Sequence, residues 1–192
     1  MINIGVLALQ GDFIEHFTLL KSIGVAPSLV KLPKDLSKLD GLIIPGGEST
    51  TIGKLAAAYD LIEPLRQFSK DHAVWGTCAG AIFLSKDTQR DQPLLSLMDI
   101  TVQRNAFGRQ VDSFEIDLQA PFLVDGEKRP YHAIFIRAPI IKSVYGEAEV
   151  LLKLPDERIV AAQQGRLLAT SFHPELTADD RFHRYFVELT KS

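Results

Sequence analysis

The chain is poor in the residues that build disulfide frameworks and zinc sites. Its 192 residues include a single cysteine, Cys78. One thiol can form neither an intrachain disulfide nor a cysteine-rich zinc site, and the histidines show no clustered ligand spacing. The sequence therefore predicts no metal and no cofactor, and whatever Cys78 does, it does without a second thiol in the same chain.

Excess charge of one sign and long apolar runs are also missing. Lysine and arginine number 21 against 24 aspartates and glutamates, a formal net charge of −3, which disfavours nucleic acid or an anionic membrane as the partner. No uncharged apolar run approaches the roughly 20 residues that a membrane helix needs. The apolar residues 1–10 lack the basic start and the cleavage pattern of a signal peptide. We expect a cytoplasmic protein, in which a free thiol survives.

Strands and helices alternate along the first part of the sequence. Apolar runs predict strands at residues 2–9, 27–30, Gly41–Ile44 and 73–76, and helical patterns lie at residues 13–23, 50–58 and 61–69. This alternation predicts an α/β fold, an open and mainly parallel sheet with helices on both faces.

Shorter strand-like runs follow in the second part of the sequence. They lie at residues 100–102, 114–118, Tyr131–Ile136, 150–153, 159–163 and 167–172, and residues 178–190 predict a last helix. Glycine, proline and charged residues split these runs, which is typical of hairpins or meanders. The chain shows no internal repeat and no low-complexity segment. One domain over residues 1–192 is the simplest interpretation.

Cys78 lies in the segment GTCAG, residues 76–80, where a strand passes into a helix. A glycine two positions to either side makes this the thiol counterpart of the G-x-S-x-G nucleophile elbow. Glycine lets the strand and the helix approach closely, and a helix N-terminus favours a thiolate. A small buried apolar residue is the usual role of a lone cysteine, but the flanking glycines favour a nucleophile.

His173 and Glu175 follow the last strand-like run. Pro174 biases His173 towards an extended conformation, in which residues i and i+2 project to the same side. The carboxylate of Glu175 can then orient the imidazole of His173, so that the two residues supply a general base and the acid that positions it. A surface loop is the alternative interpretation, but sites in open α/β sheets collect at the carboxyl ends of strands.

The segment PGGEST, residues 45–50, ends a buried strand and begins a helix that Ser49 or Thr50 could cap. It lacks the spacing of a phosphate loop, and Lys54 comes too late for one. An oxyanion loop fits better, with the N–H groups of Gly47 and Ala79 as the two donors. An ordinary glycine turn remains the alternative.

Two arginines stand close to strand-like runs and need partners. Arg104 begins a doubly basic stretch, and Arg137 ends an apolar strand. A substrate carboxylate would suit either guanidinium, and internal acids are the alternative, namely Asp112, Glu115 and Asp117. The remaining histidines are interpreted as solvated or internally satisfied; they are His16, His72, His132 and His183.

These motifs together resemble one family. The segments are LALQGD (7–12), PGGEST (45–50), GTCAG (76–80), RNAFGRQVDSFE (104–115), FIRAP (135–139) and SFHPELT (171–177). The chain is similar to the glutaminase subunits of pyridoxal 5′-phosphate synthase, which are class I, triad-type glutamine amidotransferases. The resemblance covers essentially the whole chain. Ala106 departs from it, because the family often has serine there, and we expect no effect on the chemistry.

The resemblance implies a flavodoxin-like fold and the hydrolysis of L-glutamine to glutamate and ammonia. It makes Cys78 the nucleophile, His173 the general acid and base, and Glu175 the residue that orients His173. It places eight residues around the bound glutamine: Gly46, Gly47, Glu48, Ser49, Ala79, Arg104, Ile136 and Arg137.

The resemblance also implies a partner for the chain. Ammonia would pass to a barrel-shaped synthase subunit that makes the vitamin B6 coenzyme in a hetero-oligomeric complex, with Gln10 as a candidate interface residue. Three alternatives are a glutaminase for another synthase, a dienelactone-type thiol hydrolase, and a binding module with a vestigial site. The segment at 104–110 disfavours the first, the acid placed after the histidine the second, and the complete Cys-His-Glu set the third.

Overall fold

A ten-stranded mixed sheet forms the centre of the protein, in the order β2-β1-β3-β4-β12-β11-β9-β6-β5 with β10 paired to β11. The computed structural model describes residues 2–104 and 113–192. The strands of this sheet are β1 (Asn3–Leu7), β2 (Ala26–Val30), β3 (Gly41–Ile44), β4 (Ala73–Thr77), β5 (Ser85–Asp87), β6 (Met98–Gln103), β9 (Ile140–Val144), β10 (Glu149–Lys153), β11 (Ile159–Gln164) and β12 (Leu167–Thr170). A separate antiparallel pair consists of β7 (Ser113–Leu118) and β8 (Tyr131–Ile136).

The first part of the chain confirms the predicted parallel sheet. Strands β2, β1, β3, β4 and β12 are parallel neighbours in that order, which is the doubly wound pattern with a change of direction beside β1. The helices are α1 (Phe13–Ser22), α2 (Ser49–Ala58), α3 (Ile62–Phe68), α4 (Ala79–Leu84) and α5 (Arg181–Leu189), with short 3-10 turns at Pro33–Leu36 and Pro174–Leu176.

Two apolar cores lie on opposite faces of this sheet. Strand residues alternate between them: in β3, Leu42 and Ile44 belong to the core beneath α2, α3 and α4, whereas Ile43 belongs to the core beneath α1 and α5. This alternation is the period of two expected for a strand that helices cover on both sides. Helices on both faces are therefore confirmed.

The second part of the chain is mainly antiparallel, as the short split runs predict. Strand β11 pairs antiparallel with β12, β10 and β9, and β9 pairs with β6. Two strands, β5 and β9, were not predicted. The strand predicted at residues 167–172 ends at Thr170, and the last helix begins at Arg181 instead of residue 178.

None of the helices in residues 2–104 and 113–192 has both the length and the apolar character needed to cross a membrane.

Candidate active site

A cavity of about 490 Å³ opens at the carboxyl ends of β1, β3, β4 and β12. Its lining includes most of the predicted site residues: Gln10, Gly47, Glu48, Ser49, Cys78, Ala79, Arg104, Ile136, Arg137 and His173. Two predicted residues lie outside the lining. Glu175 is buried, and Gly46 lies beneath the imidazole, where an added Cβ would be 2.7 Å from His173 Cε1.

Cys78 occupies a strained turn between β4 and α4. Its φ of 47° and ψ of −106° are unfavourable for a residue with a side chain. A Cβ on Gly80 would lie 2.0 Å from the Ile44 carbonyl oxygen, and one on Gly76 would lie 2.4 Å from the Gly80 carbonyl oxygen. The strand, the turn and the helix can therefore pack this closely only with glycine at both positions. The side chain of Cys78 reaches the cavity although the residue is only 7% exposed.

His173 lies between Cys78 and Glu175. Its Nδ1 is 2.7 Å from Glu175 Oε1, and it lines the same cavity as Cys78. Glu175 reaches the ring from a 3-10 turn at Pro174–Leu176, whereas the sequence analysis expected an extended segment. The contact between the two side chains forms nonetheless, with His173 as the N-cap residue that precedes the turn.

The charges at this site favour a protonated imidazole. Burial alone would lower the pKa of His173, but the hydrogen bonds and negative charge of Cys78 and Glu175 outweigh it and raise that pKa to about 11. Burial also raises the pKa of Glu175, against the opposing effect of His173. A protonated His173 can supply the proton that a leaving group needs in a reaction at Cys78.

Two hydrogen bonds hold the glycine loop against the residues that follow β1. Asp12 N donates to the Gly46 carbonyl oxygen at 3.1 Å, and Glu48 N donates to Gln10 Oε1 at 2.7 Å. Gln10, the predicted interface residue, therefore contacts the loop that contains the proposed oxyanion donor Gly47. Asp12 was not predicted as a site residue; its Oδ2 is 3.5 Å from His173 Nδ1, and burial raises its pKa.

Glu48 has a structural role that the sequence analysis assigned to its neighbours. Glu48, and not Ser49 or Thr50, is the N-cap of α2, where its carboxylate accepts from the N–H groups of Thr50 and Thr51 at 3.1 and 2.7 Å. Burial alone would raise the pKa of Glu48, but hydrogen bonds from Thr51, Thr50 and Arg104 lower it to about 2. The carboxylate therefore stays charged at the mouth of the cavity.

Arg104 has an internal partner, although not one of the acids proposed for it. Its Nη2 is 2.8 Å from Glu48 Oε1, and its Nη1 donates to Thr50 Oγ1 and Gln92 Oε1 at 3.0 and 3.2 Å. Glu115 and Asp117 instead contact the exposed ring of His132 at 2.8 and 2.7 Å. Asp112 lies outside the described residues, as does the rest of the segment at 105–112, including Ala106 and Arg109.

His16 lies closer to Glu175 than its place in the sequence indicates. The sequence leaves it either solvated or internally satisfied, and the second alternative is confirmed: the ring is fully buried, its Nδ1 lies 2.9 Å from His183 Nε2, and its Nε2 lies 3.3 Å from Glu175 Oε2. The signal was the i, i+4 pair His16 and Leu20, the two buried residues of α1. Ile14, an apolar residue of the same helix, is 52% exposed.

One group of potential cation ligands occurs in residues 2–104 and 113–192. Asp12, His173 and Glu175 each offer one ligand atom, and these atoms lie within 4.8 Å of one another. His173 Nδ1 is already hydrogen-bonded to Glu175, and all three residues belong to the site just described. We therefore assign no metal to them.

The buried histidines predict a loss of stability in acid. Burial lowers the pKa of His183 to about 3 and, together with His183 and His173, holds that of His16 well below its usual value. Both histidines have a lower pKa in the folded chain than the value near 6.5 of the unfolded chain. Their contribution to the free energy of unfolding is therefore complete above pH 6.5 and is lost as the pH falls towards 3. Between pH 7 and pH 5 the free energy of unfolding should fall by about 2 kcal/mol through His183 alone.

Urea unfolding of the wild type and of His183→Phe measures the contribution of His183 to the pH dependence of the free energy of unfolding. The phenylalanine ring keeps the edge-on packing against Trp75, whose ring centroid is 4.9 Å from that of His183, but it cannot bind a proton. The variant should therefore show the shallower decline between pH 7 and pH 5. Protonation of Glu175, whose raised pKa works in the opposite direction, is common to both proteins. Parallel stability curves would contradict the prediction.

The chain matches the model of the SNO glutamine amidotransferase family over residues 6–192. Two curated relatives are named pyridoxal 5′-phosphate synthase subunit PdxT. The protein from Herpetosiphon aurantiacus is 58% identical over 192 residues, covering 97% of this chain and all of the relative. The one from Chloroflexus aurantiacus is 55% identical, with the same coverage.

Solved structures show the same likeness. A crystal structure described as a glutamine amidotransferase has a TM-score of 0.91 and 47% identity, and the match covers 98% of this chain and 99% of that one. The PurLQS structure from Thermotoga maritima has a TM-score of 0.72 at 14% identity, covering 97% of this chain and 98% of that one. The second likeness shows a shared fold only, whereas the first extends to the sequence.

Proposed function

The chain belongs to the SNO glutamine amidotransferase family, and we propose that it hydrolyses L-glutamine to L-glutamate and ammonia with Cys78, His173 and Glu175 as its triad. The observation that carries this proposal is the 2.7 Å contact between His173 Nδ1 and Glu175 Oε1 at a cavity that both Cys78 and His173 line. A nucleophile, a proton-transfer group and an orienting acid in that order are the parts that acyl transfer needs.

The first half of the proposed reaction forms a thioester. The Cys78 thiolate bonds to the side-chain amide carbon, and the carbonyl electron pair moves onto oxygen. When the pair returns, the carbon–nitrogen bond breaks, and His173 gives its proton to the leaving nitrogen, which departs as ammonia. A histidine whose pKa is raised to about 11 holds this proton at neutral pH.

Water completes the reaction. His173, now neutral, takes a proton from the attacking water, the carbon–sulfur bond breaks, and glutamate leaves with the thiolate restored. Glu175 holds Nδ1 of the ring throughout, so that Nε2 faces the sulfur and the substrate.

The oxyanion and the rest of the substrate have candidate partners around the cavity. We assign the N–H groups of Gly47 and Ala79 to the oxyanion. Gly46, Glu48, Ser49, Arg104, Ile136 and Arg137 are the remaining residues proposed for glutamine. The Glu48–Arg104 pair offers both charge signs at one rim of the cavity, which suits the α-amino and α-carboxylate groups of an amino acid.

The names of the relatives support a synthase as the partner. We propose that ammonia passes to a barrel-shaped pyridoxal 5′-phosphate synthase subunit, which would place the chain in vitamin B6 biosynthesis. Direct transfer is chemically sensible because free ammonia protonates in neutral water and loses its nucleophilic pair. We also propose Gln10, whose Oε1 accepts from Glu48 N next to Gly47, as an interface residue. One domain over residues 1–192 and a cytoplasmic location stay predictions.

A coupled assay of glutamate release tests the proposal. The purified chain is incubated with glutamine, with and without the synthase subunit of the same organism, and complex formation is followed by size-exclusion chromatography. Glutamate release that rises on complex formation is expected. No release from a demonstrated complex would overturn the proposal. Hydrolysis of dienelactone or simple esters in preference to glutamine would favour a thiol hydrolase.

A further inference from the structure

Glu175 uses only one of its two carboxylate oxygens on His173. Oε1 makes the 2.7 Å contact with Nδ1, whereas Oε2 is buried and has no hydrogen bond among the residues that the structure describes. A carboxylate oxygen taken out of water without a partner is costly. The group that faces it is His16 Nε2, at 3.3 Å, and both side chains are 0% exposed.

His16 also contacts two residues other than Glu175. Its Nδ1 lies 2.9 Å from His183 Nε2, and its Nε2 hydrogen-bonds with the Thr77 hydroxyl at 3.2 Å, so the 3.3 Å approach to Glu175 Oε2 is a polar contact outside hydrogen-bond geometry. Thr77 is the last residue of β4 and directly precedes Cys78. The His16 ring thus connects Glu175, the acid of the triad, with β4, the strand that ends next to Cys78.

Two arrangements of protons are compatible with the hydrogen bonds of His16, because the Thr77 hydroxyl can either donate to or accept from Nε2. We assign the proton to His16 Nε2, since the carboxylate oxygen that faces it only accepts, and His16 Nδ1 then accepts from a proton on His183 Nε2. His183 Nδ1 is then a bare acceptor, and it is indeed a buried atom with no hydrogen bond to any residue in the described part of the chain. A buried acceptor without a partner is better tolerated than a buried donor. The opposite arrangement would point the lone pair of His16 Nε2 at the carboxylate.

A neutral ring suits this place better than a charged one. The groups that face His16 are Glu175, His183 and Thr77, with His173 adding positive charge nearby. A second cation would compete with His173 for the charge of Glu175 and weaken the imidazolium. A neutral N–H orients the carboxylate and leaves its charge to His173.

We propose that His16 is a positioning residue, whose Nε2–H directs Oε2 of Glu175 so that Oε1 holds the His173 ring in line with Cys78. This inference rests on the proposed function of the triad. It assigns no contact between His16 and the substrate, so loss of His16 should affect kcat and leave KM unchanged.

The kinetic test compares three variants of the full chain, each assayed with the synthase subunit present. His16→Leu removes the N–H, and we expect kcat to fall by about 10- to 100-fold with KM unchanged. The pH profile of kcat should also change, because the environment of His173 changes. His16→Gln restores an N–H and should recover most of kcat. His72→Leu is the matched control, since His72 stacks on Phe68 at 4.3 Å, and it should retain wild-type kcat.

Imidazole ¹⁵N NMR of the unmodified wild-type chain gives a readout that needs neither catalysis nor a variant that folds. His16 and His183 should both be neutral and protonated on Nε2. A proton on Nδ1 of His16 would overturn the inference, as would a folded His16→Leu variant with wild-type kcat and pH profile. If the wild type does not hydrolyse glutamine, the proposed function fails, and the NMR result still decides how His16 meets Glu175.

Discussion

Replacement of Cys78 by alanine is expected to lower kcat for glutamine hydrolysis by at least about 10⁴-fold. The thioester cannot form without the sulfur, because Cys78 is the single cysteine of the sequence. KM and complex formation with the synthase subunit should change little, because the residues proposed to bind glutamine are intact. The measurement is single-turnover and steady-state glutamate release by the wild type and Cys78→Ala.

The single cysteine makes a chemical control possible. Since the chain has no other thiol, iodoacetamide can modify only Cys78 among the cysteines, and intact mass spectrometry counts the addition. Loss of activity should follow the alkylated fraction, and glutamine should protect. Retention of activity within about tenfold of the wild type by Cys78→Ala or by the fully alkylated protein would contradict the nucleophilic role.

Replacement of Gly80 by alanine is the second large effect, and it concerns the fold. The new Cβ would lie 2.0 Å from the Ile44 carbonyl oxygen and 3.2 Å from the Ile44 side chain. Both belong to the end of β3, so α4 can accommodate the methyl group only by moving away from the sheet. We expect the free energy of unfolding to fall by more than about 3 kcal/mol, measured by urea unfolding with circular dichroism.

Gly24→Ala separates this clash from the general cost of losing a glycine. Gly24 has φ of 81°, and nothing lies within 4 Å of an added Cβ. Its replacement should cost only about 1 to 2 kcal/mol, from backbone strain. Equal losses in the two variants would show that backbone conformation, and not the contact with Ile44, sets the requirement at Gly80.

The sequence predicts the parallel half of the fold and the immediate surroundings of Cys78 well, because both depend on local patterns. The apolar runs that become β1, β3 and β4 are each short, continuous and ended by turn residues. Strand β9, IIKSV, was missed because it is only half apolar and depends on pairing with β6 and β11. Strand β5 has three residues and exists only through its pairing with β6.

The partners of the charged residues could not be predicted, because they come from distant parts of the chain. Arg104 pairs with Glu48, 56 positions away, and His16 meets His183, 167 positions away. Spacing in the sequence carries no information on such pairs. The pattern did indicate that these arginines and acids need partners, but only the packing of α1 and α5 on the same face of the sheet brings the two histidines together.

The strained backbone of Cys78 bears on how this protein evolves. Glycine would be less strained at φ 47° and ψ −106° than any residue with a side chain. Selection for stability alone would favour glycine at position 78, whereas the proposed nucleophilic role requires the sulfur of cysteine. At this one position, selection for stability and selection for activity therefore favour different residues.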